Sequence, residues 1–404
     1  MKSNSKKIII LGGGSEQAPA IQIAKTLKIT CIVFDKNKYA IGRKISDYFF
    51  SYSVTDFKKI FNQAKKFKIN GIMTLCSDLA IPTVAKISNK LKLPGISLRT
   101  SLLSTNKSKM KMVFLENNIN TPEFKIIKNI NQYRQFESEN KLPLVLKPTD
   151  SSGQKGIFLI NNNLNLNEKI DLIKKISSDQ KVIVEKFYKG YEINVVAIVE
   201  RKHIKFLSIS HRKTSSKKNF GIATHHVYPS KLNHNDLLKV KKLCKKAIKA
   251  IEIEDGVVYP QILMTNKNVF HLIEIASRIP GGFMREMAHM VSGIDPIEFL
   301  IRKMIGENNV FKKIKRKKRY KSVYIKFFTK LDFKNKKFIT NINGLEKARK
   351  QDGIYKIFFK KTKKIPTLKL SKDRFGAILA YGENLGDAIK KYKKALNKIE
   401  FILK

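Results

Sequence analysis

The chain has 404 residues, of which 42% are hydrophobic, so it is long enough for two or three domains with real cores and too apolar for a disordered chain. Its 82 lysines and arginines face 32 acidic residues, and the net charge of +50 favours contact with phosphates and other anions. Three widely spaced cysteines exclude a disulfide framework, and no apolar run is long enough to predict a transmembrane helix.

The positive charge is distributed along the whole sequence. Lysines alternate with asparagine and isoleucine, a composition that an A+T-rich genome encodes, and no arginine cluster with interleaved aromatic residues is present. We therefore expect solvated basic faces, no specific nucleic-acid partner and no membrane partner, with a polyanion-binding surface as the alternative. The first apolar run, after MKSNSKK, is too short for a signal peptide, so a cytoplasmic location is expected.

The first hundred residues predict an α/β unit. Residues 6–11 and 29–34 are apolar runs typical of strands, and a glycine turn at 12–14 and a helical stretch at 16–27 lie between them. Asp35 follows the last glycine by 35 − 14 = 21 residues, as in a dinucleotide fingerprint. Gln17 stands where that fingerprint needs its third glycine, so a nucleotide-fold domain is favoured over a nicotinamide site.

The unit continues with a helix at 56–66, a strand at 71–75 and a helix at 80–91. Ser77 and Asp78 follow that strand at its carboxyl end, where open sheets place ligand-binding loops. They either contact a substrate or cap the next helix, and capping is the favoured interpretation.

A different pattern begins near residue 104. A helix at 106–117 carries Lys107 near its start, and a strand at 142–148 carries Lys147. A loop of small residues, 150–156, then leads to a returning strand. Backbone N–H groups of such a loop can approach phosphate oxygens, and Lys147 and Lys155 would add positive charge. The spacing is not that of a Walker A loop, so a plain hairpin turn stays an alternative.

Two further strands, 181–187 and 193–199, each carry or adjoin a carboxylate. Glu185 lies inside an apolar strand and therefore needs a partner, and Glu192 follows a glycine turn. The polar, basic stretch 208–224 predicts a mobile loop over a site. His211, His225 and His226 lack metal-ligand spacing.

The stretch 257–284 predicts an antiparallel hairpin, with apolar runs at 257–264 and 269–276 joined by a polar turn. Gln261 and Glu274 lie near the middles of the runs and are expected to face each other. Their oxygens suit a hard cation such as Mg²⁺. The alternative is a buried salt bridge between Glu274 and Arg278. From residue 311 the sequence is rich in lysine and predicts strands at 320–328, 353–359 and 376–380 and a helix at 384–403.

This order of features resembles the ATP-grasp superfamily of carboxylate–amine (or –thiol) ligases over nearly the whole chain. Lys107 stands in the place of the lysine of the family's DK-like start, Lys147 in LPLVLKP matches its second phosphate-binding lysine, and SSGQKG at 151–156 matches its phosphate-covering loop. The residues that the resemblance assigns to ATP are Lys107, Lys147, Ser151, Ser152, Gly153, Gly156, the adenine hinge Glu185, Lys186, Phe187 and Tyr188, and Glu192 at the ribose.

The resemblance also implies a metal pair and basic catalytic residues. Gln261 and Glu274 fall on the metal positions, and Arg278 falls beside the transferred phosphate, in an EIASRIPGG run similar to that of the amino-acid ligase branch. Lys155 in the loop and Arg285, as a clamp for a substrate carboxylate, complete the catalytic set. Two positions depart from the pattern: many relatives have glutamate at the position of Gln261, and Ala276 replaces a frequent asparagine.

The resemblance implies a mixed α/β and α+β fold: a Rossmann-like domain at 1–100, a two-lobed ATP-grasp domain at 101–310 with a flexible lobe at about 125–190, and a small α+β domain at 311–404. It implies ATP and Mg²⁺, with Mn²⁺ as an alternative, and a homodimer as one option. The expected reaction converts a small carboxylate, in our reading an amino acid, to an acylphosphate that an amine attacks, releasing ADP and phosphate. The alternatives are a bicarbonate-using carboxylating enzyme of purine-pathway type and an inactive nucleotide-binding protein.

Overall fold

The computed structural model describes residues 5–215, 221–333, 336–360 and 362–404. Its first part is a parallel four-stranded sheet in the order β3-β2-β1-β4, flanked by helices. The elements of this part are β1 Lys7–Leu11, α1 Ala18–Thr26, β2 Thr30–Phe34, α2 Gly42–Ile45, β3 Tyr48–Phe50, α3 Phe57–Phe67, β4 Gly71–Thr74, α4 Ile81–Lys90, α5 Leu98–Thr105 and α6 Lys107–Glu116.

β1 is apolar on both faces because the sheet is covered on both. Ile8 and Ile10 pack in one core with residues of α1, whereas Ile9 and Leu11 pack in a second core with residues of α3 and α4. Such two-sided burial explains why this strand is a continuous apolar run and not an alternating one. The predicted α/β unit is confirmed.

The side chain of Asp35, which follows β2, bonds to the backbone of the glycine turn. Its carboxylate accepts hydrogen bonds from the backbone N–H groups of Gly13, at 2.7 Å, and Asn37, at 2.8 Å. The side chain thus stabilises the glycine turn.

The second part is a four-stranded antiparallel sheet in the order β5-β8-β6-β7. Its elements are β5 Phe124–Ile127, α7 Ile130–Asn140, β6 Leu144–Pro148, β7 Phe158–Ile160, α8 Leu166–Ile176 and β8 Val182–Lys186. The two helices cover one face of this sheet and close a separate core. This part lies within the stretch predicted as a flexible lobe.

The third part is built on an eight-stranded antiparallel sheet in the order β13-β12-β9-β10-β11-β14-β17-β16. The elements from residue 190 to 313 are β9 Gly190–Glu200, β10 His203–Thr214, β11 Ala223–Tyr228, α9 His234–Ala250, β12 Gly256–Thr265, β13 Phe270–Ala276, α10 Met284–Ser292, α11 Pro296–Met304 and α12 Val310–Lys313. Those that follow are β14 Ser322–Phe328, β15 Ile339–Asn343, α13 Leu345–Arg349, β16 Ile354–Phe359, β17 Gly376–Gly382, α14 Leu385–Leu396 and β18 Glu400–Leu403.

Two predictions about this part are corrected. Residues 208–214 and 223–224 belong to β10 and β11 and not to a loop, because β10 pairs with β9 along its length; residues 216–220 lie outside the described part. The predicted final helix ends at Leu396, and residues 400–403 form β18, which pairs with β15. The large sheet also continues past residue 311, where a separate C-terminal domain was predicted to begin, because β14 pairs with β11.

The first sheet packs against the third part at a glycine. A Cβ at Gly71 in β4 would collide with the carbonyl oxygen of Met304 at the end of α11, so the absent side chain permits this approach. The contact brings the carboxyl ends of β1 and β4 beside the end of β13, where Leu75 forms an isolated bridge with Ile279. In the ranges that the structure describes, no helix combines the length and the apolar character needed to cross a membrane.

Candidate active site

Gln261 and Glu274 face each other at the centre of the site, as predicted. The antiparallel register of β12 and β13 pairs them directly, and Gln261 Nε2 donates a hydrogen bond to Glu274 Oε1. Lys107, the first residue of α6, places its Nζ 3.5 Å from Glu274 Oε2. The Glu274 side chain is 30% exposed, so a ligand can reach it.

The chemistry of this pair fits a magnesium ion shared with phosphates. The carboxylate is a hard oxygen donor, and a half-turn of the Gln261 amide would present its oxygen to the same space. The described residues contain no group of three or more His, Cys, Asp or Glu side chains arranged to hold a metal. A cation here would therefore need oxygen ligands from a bound nucleotide, which is the usual habit of Mg²⁺.

Three charged side chains form a buried group beside this pair. Glu185 on β8 lies 2.8 Å from Lys111 Nζ and 2.6 Å from Lys147 Nζ on β6, and the three side chains are between 0% and 6% exposed. Lys111 also donates to Thr121 Oγ1 at 2.7 Å. The predicted need of Glu185 for a partner is thus met twice. Lys111 was missed by the sequence analysis, although a lysine between Met110 and Met112 in an apolar helix was the available signal.

The pKa values of this group follow from burial and mutual attraction. Burial alone would raise the pKa of the Glu185 carboxyl, but Lys111 and Lys147 outweigh it and hold the pKa below its usual range. Burial lowers the pKa of Lys111 to about 8, against the opposing attraction of Glu185. With both lysines protonated the group carries a net charge of about +1.

The predicted phosphate loop, 151–156, lies over the same region. Lys107 Nζ donates to the carbonyl oxygen of Ser151 at 2.5 Å, and Ser151 Oγ donates to the carbonyl oxygen of Lys155 at 2.8 Å. Gly153 and Gly156 have φ angles of +65° and +76°, a conformation that L side chains adopt only with strain. The Lys155 side chain is exposed.

The predicted adenine hinge connects the second and third parts of the chain. The Lys186 N–H donates to the carbonyl oxygen of Glu123 at 2.9 Å, and Tyr188 Oη donates to the carboxylate of Glu123. Tyr188 stacks on His271 with 4.5 Å between ring centroids. Glu192, the predicted ribose ligand, is in ion-pair contact with Arg212 on the neighbouring strand.

Arg278 does not pair with Glu274, and that alternative is wrong. Its Nε and Nη2 lie 2.5 Å and 2.7 Å from the two carboxylate oxygens of Asp78, a bidentate contact between the first sheet and the end of β13. Burial would raise the pKa of Asp78, but the charge and hydrogen bonds of Arg278, together with the charge of Lys107, lower it below its usual value. The predicted capping role of Asp78 and Ser77 is also wrong, because the short helix after Ser77 has no side-chain cap.

Arg285 is paired with a carboxylate of the protein. Its guanidinium makes a bidentate contact with Asp295, which begins α11, and Asp295 in turn accepts a hydrogen bond from the Ile297 N–H. A carboxylate of the protein therefore already occupies the fork that was predicted to bind a substrate.

Two further charged side chains approach the glycine turn that follows Arg278. Arg374, in the loop before β17, has Nη2 3.1 Å from the position of a Cβ at Gly282, and Glu16 has Oε2 3.5 Å from that of a Cβ at Gly281. Both were missed by the sequence analysis, because neither lies in a recognisable motif. His226 is buried near Arg374, and burial, followed by the charge of Arg374, lowers its pKa well below the usual value.

Part of the chain matches a known family. Residues 140–286 match the ATP-grasp domain. The D-alanine--D-alanine ligase of Pelagibacter ubique is 26% identical over 288 residues, which are 69% of this chain and 89% of that protein.

Solved structures of two proteins resemble the whole chain. The L-amino acid ligase from Bacillus licheniformis has a TM-score of 0.82 at 18% identity, with 99% of both chains covered. The phosphoribosylglycinamide synthetase from Anaerococcus prevotii has a TM-score of 0.79 at 24% identity, with 99% of this chain and 100% of that chain covered. At such identities the likeness establishes the fold, and it confirms the predicted fold class.

Proposed function

We propose that the protein is an ADP-forming ligase that joins a small carboxylate to an amine, because residues 140–286 match the ATP-grasp domain. ATP transfers its γ-phosphoryl group to the carboxylate, and the amine displaces phosphate from the resulting acylphosphate. The carboxylate is that of an amino acid in our proposal. Because the reaction consumes ATP, we propose that it occurs in the cytoplasm.

The arrangement of Glu274, Gln261 and Lys107 is the observation that carries this proposal. Phosphoryl transfer requires charge neutralisation and positioning more than a dedicated nucleophile. Lys107 contacts Glu274 and the loop at Ser151 at once, so one ammonium group joins the metal pair to the phosphate-covering loop. When bound, Mg²⁺ would neutralise phosphate oxygens and align the transferred group.

The other residues have distinct roles in the proposal. Lys147 binds a phosphate oxygen of ATP and is held in place by Glu185, and Tyr188 borders the adenine. Glu192 binds the ribose hydroxyls after its contact with Arg212 loosens. Arg278, fixed by Asp78, stabilises negative charge on the transferred phosphoryl group. Closure of the loop at 151–156 excludes water, which would otherwise hydrolyse the acylphosphate.

The names of the relatives favour amino acids. The Pelagibacter protein and the Bacillus licheniformis protein are amino-acid ligases, and the former covers most of this chain in sequence. The Anaerococcus protein acts in the phosphoribosylglycinamide branch, so a purine-type substrate is the second candidate. Both candidates would use the same proposed ATP site.

ADP and phosphate release with Mg²⁺ and ATP tests the proposal. The panel contains amino acids, offered singly and in pairs, and bicarbonate. Release that requires two amino acids is the expected result. Release that requires bicarbonate would move the protein to the carboxylating class, and no release despite measurable ATP binding would make it an inactive nucleotide-binding protein.

The variant Glu274→Ala tests the metal pair. Removal of the carboxylate should lower turnover at least about 100-fold, because the Mg²⁺ that would neutralise the transferred phosphoryl group loses its carboxylate ligand. Glu254→Ala is the control, since Glu254 is an exposed glutamate whose carboxylate pairs with Lys202. Circular dichroism should show that both variants fold. Turnover of Glu274→Ala equal to that of the control would refute the assignment.

A further inference from the structure

The longest basic run of the chain lies between α12 and β14. Residues 315–319, KRKKR, are five consecutive lysines and arginines, whereas no other basic run in the sequence exceeds two residues. A lysine-rich composition produces pairs throughout the chain, so a run of five stands apart from it. The proposed ligase chemistry uses none of these five side chains.

The fold fixes the basic run, residues 315–319, on the surface. Ile314, immediately before it, is buried, and Tyr320, immediately after it, donates its backbone N–H to the carbonyl oxygen of Met290 at 2.9 Å. The N–H of Lys317 donates to the carbonyl oxygen of Gly293 at 2.9 Å. A Cβ at Gly293 would lie 2.5 Å from the carbonyl oxygen of Lys317, so the missing side chain permits this approach. The run is therefore held against the end of α10 although it belongs to no helix or strand.

The charge of the basic run is not neutralised within the protein. Its five side chains are exposed, and none of them forms an ion pair with a described residue. The residues outside the described ranges include no Asp or Glu. The basic residues that flank the run are paired, by contrast, Lys313 with Glu307 and Lys321 with Glu383. The run therefore leaves its charge available to an external anion.

Three tyrosines that are distant in sequence meet beside the end of the basic run. The rings of Tyr320 and Tyr381, on β17, have centroids 4.1 Å apart. Tyr355, on the edge strand β16, is 39% exposed; burial raises its pKa, and the neighbouring Tyr320 adds to this shift. Lys318 Nζ, within the run, lies 5.8 Å from the centroid of the Tyr320 ring. Aromatic faces beside positive charge are the arrangement on which single-stranded nucleic acid stacks its bases while its phosphates meet the cations.

Two competing partners fit the basic run less well. Stable attachment to an anionic membrane surface needs an apolar signal in addition to basic residues. None of the large exposed apolar side chains among the described residues lies between positions 305 and 330. The groove of a duplex admits a helix or a two-stranded ribbon, and residues 315–320 form neither.

We propose that the basic run and the tyrosines beside it bind single-stranded nucleic acid without sequence preference. Phosphates contact residues 315–319, and a base stacks on Tyr355. The sequence could not indicate this surface, because its aromatic residues come from three separate segments. The inference goes beyond the proposed ligase activity, since none of these residues belongs to the proposed ATP site.

Fluorescence anisotropy of a labelled oligouridylate, titrated with the whole chain at about 0.15 M KCl, measures this binding. The test variant combines Arg316→Gln, Lys317→Gln, Lys318→Gln and Arg319→Gln. The control combines substitutions of four exposed lysines of α9 and has the same net charge: Lys242→Gln, Lys245→Gln, Lys246→Gln and Lys249→Gln. Because α9 and α10 pack in separate cores on opposite faces of the large sheet, the control lies away from the run.

In the expected result, the test variant binds the oligouridylate at least about 30-fold more weakly, and the control less than about threefold more weakly. The slope of log affinity against log salt concentration becomes shallower by about 2 in the test variant, as for three lost phosphate contacts. Equal losses in the test variant and the control would overturn the inference, since the attraction would then come from charge spread over the whole surface.

The tyrosines are tested separately. Tyr355→Ala should weaken binding at least about fivefold, as for the loss of one stacked base. Tyr39→Ala is its control, because Tyr39 is 79% exposed in the first part of the chain and should not affect binding. Equal affinities of Tyr355→Ala and Tyr39→Ala would contradict the stacking role and with it the preference for a single strand.

Two further probes compare the alternative partners. They are an RNA duplex of the same length and vesicles of phosphatidylcholine with phosphatidylserine. Binding to either that is as tight as binding to the oligouridylate would overturn the inference, as would absence of saturable oligouridylate binding by the wild type. Should the fourfold test variant not fold, Arg316→Gln/Lys318→Gln against Lys245→Gln/Lys249→Gln decides, with a loss of at least about fivefold expected only in the former. No ATP is present, so failure of the ligase proposal does not affect this test.

Discussion

Two ammonium groups, of Lys111 and Lys147, share the carboxylate of Glu185, and this contact connects the proposed adenine hinge to the proposed phosphate site. Lys147 comes from the same sheet as Glu185, whereas Lys111 comes from α6. Because the group is almost fully buried, each charge feels the others strongly. Its net charge depends on whether Lys111 holds its proton.

This dependence predicts a pH effect on ATP affinity. Below the Lys111 pKa of about 8 the group carries one net positive charge, and above it none. The polyanion ATP prefers the protonated form, so affinity should fall by about tenfold as pH rises from 7 to 9. The charged groups that act on Lys111 are Glu185 and Lys147, followed by Glu274.

Calorimetric titration of ATP into Lys111→Met checks this effect. The variant should bind ATP more weakly at pH 7 and show little change up to pH 9. Lys109→Met, on the exposed side of the same helix, should retain the wild-type pH profile. A pH-dependent fall in Lys111→Met as large as in the wild type would rule out Lys111 as the group that titrates.

At the residue scale, local patterns predicted contacts within one hairpin or strand and not contacts between distant segments. The pairing of Gln261 with Glu274 follows from strand periodicity and the turn between them. The contact of Arg278 with Asp78 spans 200 residues, and nothing in either segment indicates it. The same holds for Arg374, which reaches the site only because β17 joins the large sheet.

The phosphate loop is held between elements of different parts of the chain. Gln154 Nε2 donates to the carbonyl oxygen of Gly221, in the connection before β11, and Ser371 Oγ donates to Gln154 Oε1 at 3.5 Å. Gln154 therefore bridges the loop to the large sheet and to the segment that carries Arg374. We infer that it stabilises the closed loop.

Gln154→Ala should uncouple ATP hydrolysis from ligation. A loop that opens more often admits water to the acylphosphate, so phosphate release should exceed product formation several-fold. The ratio of phosphate to ligated product is the measurement, and Lys175→Ala, an exposed position on α8, is the control. A ratio near one in Gln154→Ala would show that the contact does not control closure.

At the element scale, the positions of the strands were predicted more reliably than the pairing of one strand with another. Residues 322–328 were expected in a separate small domain, yet β14 pairs with β11 and extends the large sheet. Pairing of this kind depends on contacts about a hundred residues apart in sequence, which the periodicity of a single segment does not report. Residues 400–403 were predicted as the end of the final helix, but they form a strand that pairs with β15. The domain boundaries at 100 and 310 stay predictions.

On the scale of the whole molecule, three sheets converge on one cleft. The first sheet supplies Asp78, the second supplies Lys147 and Glu185, and the third supplies Gln261 and Glu274. The net charge of +50 is carried mainly by exposed lysines, whereas the buried charges near the cleft are largely paired. The order of the weak motifs was sufficient to predict the fold class, although the motif residues lie in different kinds of element: Lys107 begins a helix, and Gln261 and Glu274 lie inside paired strands.

The transfer of oxygen-18 from the carboxylate substrate to phosphate tests the central claim most directly. The carboxylate that supports ADP release is labelled with oxygen-18, turned over with unlabelled ATP and the amine, and the released phosphate is analysed by mass spectrometry. If an acylphosphate forms in the cleft between Arg278 and the Gln261–Glu274 pair, each phosphate carries one labelled oxygen atom. Unlabelled phosphate, formed with full ligation of the labelled substrate, would contradict the account.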